Sequence, residues 1–153
     1  MSISDLEGRE VLASVEETID APPNEIWPFL SAIGAERILI PGCTRSSVLE
    51  GYGKGAIRRV YFGDVIFDER ILECDAETYK LKYEVIEPNS SPASGVVAAV
   101  QLHPSGTDKT TVTWVSGAKA VLPEHVAAIK EQAVGFCRGQ IASLRRLSQT
   151  ATA

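Results

Sequence analysis

Cysteine and histidine are scarce in this chain, and each scarcity closes off a class of chemistry. The three cysteines, Cys43, Cys74 and Cys137, are scattered with no CxxC spacing. An odd, dispersed set argues against a disulfide framework and against a zinc site, so no metal is expected. The two histidines fall at a turn (His103, before Pro104) and in the first turn of a helical segment (His125), and both are expected at the surface. No Ser/His/Asp arrangement and no Gly-rich phosphate loop is present, so neither a nucleophile-based catalytic motif nor a cofactor is expected. Gly51-x-Gly53-x-Gly55 lies between two strand-like segments, whereas a dinucleotide site needs a strand leading into a helix; it reads as a turn. Basic charge is not in excess. The net charge is −5, and basic residues adjoin only at Arg58-Arg59 and Arg145-Arg146, pairs that read as solvated surface, so nucleic acid is not the expected partner. Long apolar runs are also missing. Residues 96–100 (VVAAV) fall far short of the roughly 18 apolar residues of a membrane span, so no stable membrane insertion is expected. The absence of a basic-then-apolar leader predicts a soluble, cytoplasmic protein.

What is present is a chain of 153 residues with 44% hydrophobic and 23% charged residues, the balance of one globular domain able to bury a core. The core is expected over about residues 9–148, with residues 1–8 and the tail after Gln149 frayed, and a monomer or weak dimer is the expected state. Residues 9–19 (REVLASVEETI) alternate apolar and polar as a half-buried strand does. Asp20 and the Pro22-Pro23 pair break the strand and start a short helix over 24–30, with Asp20 as a candidate cap; residues 33–39 read as a second short helix. From Cys43 the period is two. Strands are expected at 44–49, 56–62, 65–74, 78–86, 95–102 and 109–117, with a two-residue hairpin turn at Gly63-Asp64. Successive hairpins imply one antiparallel meander. Residues 123–147 (PEHVAAIKEQAVGFCRGQIASLRRL) are the one long helical stretch, with an apolar stripe through Val126, Ile129, Ala133, Phe136, Cys137 and Leu144.

This element order and six short motifs in sequence resemble the SRPBCC superfamily, which includes START domains, birch-pollen-allergen-like proteins, polyketide cyclases/dehydrases and plant abscisic-acid receptors. The motifs are Ala21-Pro22 with Ile26-Trp27, Gly55-Ala56-Ile57-Arg58, Gly63 with Glu69-Arg70-Ile71-Leu72, Asp75, Tyr83-Glu84-Val85, and Thr110-Thr111-Val112-Thr113-Trp114. The likeness spans about residues 10–147 and is nearest to the polyketide cyclase/dehydrase and abscisic-acid-receptor branch. It implies an α+β helix-grip fold: a seven-stranded antiparallel sheet wrapped around a long C-terminal helix, two short helices after the first strand, and an apolar cavity. The receptors' serine-glycine-leucine-proline gate would fall at the short Gly63-Asp64 loop, and their histidine-arginine-leucine latch at Ser90-Ser91-Pro92. Both are missing, which argues against hormone reception of that kind.

Alternation along the strands assigns the faces. On residues 65–74 the face with Asp68 and Arg70 should point out, which turns Phe67, Glu69 and Ile71 inward; the resemblance implies the same for Glu69, whose counterpart lines the receptors' pocket. Arg58, Val60 and Phe62 form one face of their strand. Tyr83 and Val85 are expected to face in, as are Val97 and Ala99, then Trp114 and Ser116. Arg45 matches a cavity lysine of the receptors. A carboxylate in an apolar cavity needs a partner, and Arg45 or Arg58 is the candidate. Glu69 then reads either as an anchor or acid/base for a ligand or as half of a structural ion pair, and Tyr83 either as a hydrogen-bond donor or as core. Gly135 and Gly139, with Ser143 one turn on, cost helix propensity and need a reason. They either make room for a ligand or allow close packing. Two functions follow as expectations: binding of a small hydrophobic molecule (polyketide-, lipid- or hormone-like), or an enzyme of the cyclase/dehydratase type that holds such a substrate in a reactive geometry.

Overall fold

The computed structural model describes residues 3–149. Its main strands and helices follow the periodicities. Strand β1 (Glu10–Ile19) leads into helix α1 (Pro23–Leu30), then come β2 (Arg45–Glu50), β3 (Ile57–Phe62), β4 (Val65–Asp75) and β5 (Lys80–Val85). A two-residue β6 (Ala93–Ser94) precedes β7 (Val97–Pro104), β8 (Thr110–Ala118) and a short β9 (Ala120–Val121), and helix α2 (Val126–Ser148) ends the described chain. Seven strands form one antiparallel sheet in the order β1-β8-β7-β5-β4-β3-β2, while β6 and β9 pair separately. The seven antiparallel strands are as expected, and β2, β3, β4, β5, β7 and β8 follow one another as a meander, but β1 pairs with β8 at the opposite edge instead of with β2. The small β6–β9 ladder is an addition that two-residue strands are too short to announce by alternation.

Local chemistry sets the bends. Gly63, at φ 64°, takes the left-handed conformation that the two-residue turn between β3 and β4 requires. Register shifts between Val11 and Ala13 in β1, and between Ile71 and Glu73 in β4, place an extra residue on one strand and curl the sheet. In α1, Pro23 occupies the first turn, where its missing N–H costs nothing. The N-cap is Pro22 with no side-chain bond, not Asp20. The second expected helix is only a single 3-10 turn at Glu36–Ile38.

The inner face of the curled sheet has two unlike ends. At one end α1 plugs the curve: Ile26 and Leu30 meet Leu81, Val100, Leu102 and Val112 from the sheet and Ile141 and Leu144 from α2, all almost fully buried. Trp27 stacks edge-on against Tyr79 at 6.0 Å. At the other end no helix opposes the sheet except the first half of α2. The outer face is partly covered as well. The N-terminal residues expected to fray form a turn at Ile3–Leu6, and Leu6 is fully buried against Ala99 and Val115. That turn is tied down by Lys80 to Asp5 (2.6 Å) and by Arg9 Nε donating to the Gly95 carbonyl (2.6 Å). Apolar burial of this kind is worth about 25 cal/mol per Å², which outweighs the pull of the polar neighbours toward solvent. The tail after Gln149 lies outside the described residues.

Candidate functional site

Where α1 stops short, the sheet and α2 border a cavity of about 370 Å³ that opens to solvent. Its sheet wall is built by residues of six strands: Leu12 on β1, Val60 and Phe62 on β3, Val65, Phe67 and Glu69 on β4, Tyr83 and Val85 on β5, Ala98 on β7, and Trp114 and Ser116 on β8. Its helix wall comes from Ile129, Gln132, Ala133, Phe136, Cys137 and Gln140 of α2, and Asn89 and Ser91 line it from the loop after β5. That loop is held by its own bonds: the Ser91 N–H donates to Asn89 (2.8 Å), and the Gly95 N–H donates to Glu87 (2.8 Å). Phe62 packs near-perpendicular to Phe67 (6.1 Å) and against Phe136 (5.7 Å), joining the β3–β4 hairpin to the helix.

The floor of the cavity carries its charge. Glu69 is paired across the ladder with Arg58, whose Nε donates to Glu69 Oε1 at 2.9 Å. The same guanidinium reaches back through Nη1 to Glu36 Oε2 at 3.2 Å and lies 4.6 Å from the centre of the Tyr83 ring. Glu36 is itself held by the Gly34 N–H, which donates to both of its oxygens (2.8 and 3.0 Å). Gly34 sits at φ 98°, and a side chain there would strike Val48 Cγ2 at 2.6 Å, so glycine is required on two counts. All three charged groups are under 10% exposed. Burial raises the Glu36 carboxyl above its ordinary value, and Arg58 and the Gly34 N–H offset part of that rise. Burial likewise raises the Tyr83 hydroxyl, with the Glu69 charge adding to it, and pushes the Cys137 thiol up to about 12. Polar atoms remain free on this floor. Among the described residues no donor reaches the second oxygen of Glu69, and Ser116 Oγ is buried with no partner at all.

Measured against the sequence, Val60, Phe62, Phe67, Glu69, Tyr83, Val85, Trp114 and Ser116 stand on the cavity wall as their alternation indicates. Several others do not. Arg58, read also as one of a solvated pair, is buried behind the wall and touches it only through Glu69 and Tyr83. Its neighbour Arg59 is the outward one, in a two-pronged pair with Asp68 (2.7 and 2.9 Å). Arg45 pairs with Tyr61 on the outer face of the sheet, its guanidinium 4.4 Å from that ring's centre. Val97 and Ala99 face away from the cavity. The run 96–100 is apolar on both faces, so alternation there is uninformative, and Ala98, opposite Tyr83 and Ser116, is the inward residue. Gly135 is on the solvent side of α2, where a Cβ would meet nothing within 4 Å, and Gly139 lies so close to Pro41 that a Cβ would sit 2.7 Å from its ring. Ser143 faces the same 37–43 segment and bonds back to the Gly139 carbonyl (3.2 Å). The two glycines therefore do not carve the cavity; the small residue that does on this helix is Ala133. Glu36, in a 3-10 turn, and Asn89 and Ser91, in the loop after β5, were not read as site residues, since none lies in a strand whose alternation assigns a face. Neither histidine lines the cavity. Among the described residues no His/Cys/Asp/Glu group has metal-holding geometry, and no helix is long and apolar enough to cross a membrane.

A curved antiparallel sheet gripping a C-terminal helix above an apolar cavity defines the helix-grip fold of the SRPBCC superfamily. Within it, the chain belongs to the family described as "Polyketide cyclase / dehydrase and lipid transport", whose pattern matches residues 10–149. No curated protein matches the chain. Among solved structures it is similar to the protein XoxI from Bacillus cereus (15% identity, 89% of this chain and 94% of that one, TM-score 0.76). It is also similar to a protein from Thermobifida fusca (18%, 91% and 96%, TM-score 0.73). A third is norcoclaurine synthase from Thalictrum flavum in complex with dopamine and hydroxybenzaldehyde (18%, 99% and 95%, TM-score 0.70). At these identities the likeness establishes the fold.

Proposed function

We propose that the protein binds a small hydrophobic molecule in the cavity between the sheet and α2, with the polyketide and lipid classes as the leading occupants. The observation that carries this is an apolar space of about 370 Å³ that the protein's own side chains leave unfilled. A void of this size forgoes contacts its wall would otherwise make, and a domain of this length has no structural use for it. Family membership supports the same reading. The test is native mass spectrometry of freshly purified protein for a co-purified small molecule, together with titration of the neutral apolar fluorophore N-phenylnaphthylamine. Saturable fluorescence enhancement is expected, and it should vanish in Ala133→Trp, which fills the cavity from the helix side. Undiminished enhancement in a folded Ala133→Trp would place the dye elsewhere and refute the reading.

A second reading is an enzyme of the cyclase or dehydratase type. The observation that favours it is the open Glu69 oxygen, a carboxylate fixed by Arg58 and bordered by Phe67, Val85 and Tyr83. Such a group is placed to take a proton from a bound carbon acid or hydroxyl, and the surrounding walls limit the geometries of a flexible chain. Glu69→Gln keeps the shape and removes the base. Retained turnover of an identified substrate in that variant would exclude the assignment.

A further inference from the structure

The polar end of the cavity is an acceptor, and this selects what can occupy it. Glu69 is the carboxylate on the wall, and among the described residues no donor reaches its second oxygen. Behind it stands a single cation, Arg58, engaged by two carboxylates, Glu69 and Glu36. With two carboxylates engaging one guanidinium, no cation is left over for an anionic ligand. The guanidinium is also unavailable by position: it is 4% exposed, spans Glu36 and Glu69, and is covered by the Tyr83 ring. The remaining titratable wall residues, Tyr83 and Cys137, are both held in their neutral forms by burial. The second free atom, Ser116 Oγ, accepts as well as donates and has no partner of its own. A buried acceptor left without a donor is costly, and a like charge brought beside it costs more.

We infer that the natural occupant is a neutral or cationic amphiphile whose polar end donates a hydrogen bond to Glu69 — an alcohol, phenol or amine — and that the corresponding carboxylic acids are rejected. This rests on the binding reading above and adds ligand polarity to it. A ligand carboxylate would meet Glu69, with Arg58 shielded behind it.

The experiment displaces N-phenylnaphthylamine from the wild-type protein at neutral pH with a set matched in chain length: decanol, decylamine, methyl decanoate and decanoate. Decanol and decylamine should displace the dye at concentrations about tenfold or more below those needed for decanoate. Methyl decanoate, neutral but without a proton to donate, should be weaker than decanol. In Glu69→Gln the gap between decanol and decanoate should narrow. Decanoate equal to or better than decanol would overturn the inference while leaving a binding cavity. Methyl decanoate equal to decanol would overturn the donor requirement. Failure of the dye itself to bind would instead remove the binding reading, and this inference with it. The ligand series needs no variant, so the outcome stands even where Glu69→Gln does not fold.

Discussion

The two ends of the inner sheet face share the same strands and the same helix, yet one is solid and the other hollow. At the solid end Leu81, Val100, Leu102 and Val112 meet α1 and the second half of α2. Two to four residues further along the same strands, Val85, Ala98 and Ser116 meet open space roofed by Ile129, Ala133 and Phe136. The difference lies in what opposes the sheet. The eight residues of α1 reach across only one end, and the loop after β5 that borders the other end contributes short polar side chains, not a second plug. A fold can therefore concentrate its stability in one half and leave the other half free to be shaped by a ligand. Arg58 marks the border, with fully buried Ala56 on one side of it and cavity-lining Val60 on the other.

The sharpest way to break this division is to remove its border. Arg58→Ala should cost about 3–5 kcal/mol, because Glu36 and Glu69 would then stay buried without a cation. Arg59→Ala, one residue away on the outer face, should cost far less, since its pair with Asp68 is about a third exposed and screened by solvent. Urea denaturation of the two variants measures the contrast, and equal losses would contradict the burial assigned to Arg58. Next in size, Ile141→Ala at the solid end should lose about 2–5 kcal/mol. Phe136→Ala at the hollow end should lose about 1–2 kcal/mol, since its half-buried ring already borders empty space, while enlarging the cavity. Thermal melts of both, with dye titration of Phe136→Ala, test whether stability and cavity volume separate along the helix.

Gly135→Ala is a smaller effect and of opposite sign. The position is exposed and its surroundings are empty, so alanine should gain about 1 kcal/mol of helix propensity and leave dye binding unchanged. Gly139→Ala would press on Pro41 and show no such gain. The smallest effect is one of pH. The folded-state value of Glu36 lies above 4.5, so between 4.5 and that raised value the native protein binds more protons than the unfolded chain. Stability from this group therefore falls as pH rises through that window. Asp68 and Asp75 run the other way: their lowered carboxyls add stability above 3.8 that is lost as pH falls. Melting temperature followed from pH 4.5 toward neutrality should fall less in Glu36→Gln than in the wild type. An unchanged slope would show that Glu36 is not the group responsible.

The strand order, the helix and the inward set on β3, β4, β5 and β8 were legible because those strands alternate cleanly, and alternation fixes a face. β7 was not, because Val96 to Val100 are apolar throughout, and its register against β5 and β8 decides which of them look inward, with Leu6 covering Ala99 on the outer side. Glu69 was readable as an inward acid needing an arginine. Glu36 was not, because a 3-10 turn has no periodicity that announces burial, and its place behind Arg58 depends on a glycine turn folding back across the sheet. The glycines of α2 carried a signal that some reason exists, without saying which; contact with Pro41 supplies it for Gly139 and solvent leaves Gly135 without one.

By itself the sequence determined a gripped helix, an antiparallel meander and an acid turned toward the interior, because local propensity and period suffice for those. Only the tertiary structure decided that the acid keeps one oxygen free while its arginine is shared with a second carboxylate. Charge balance in a low-dielectric interior depends on segments far apart in the chain, and no local pattern records their meeting.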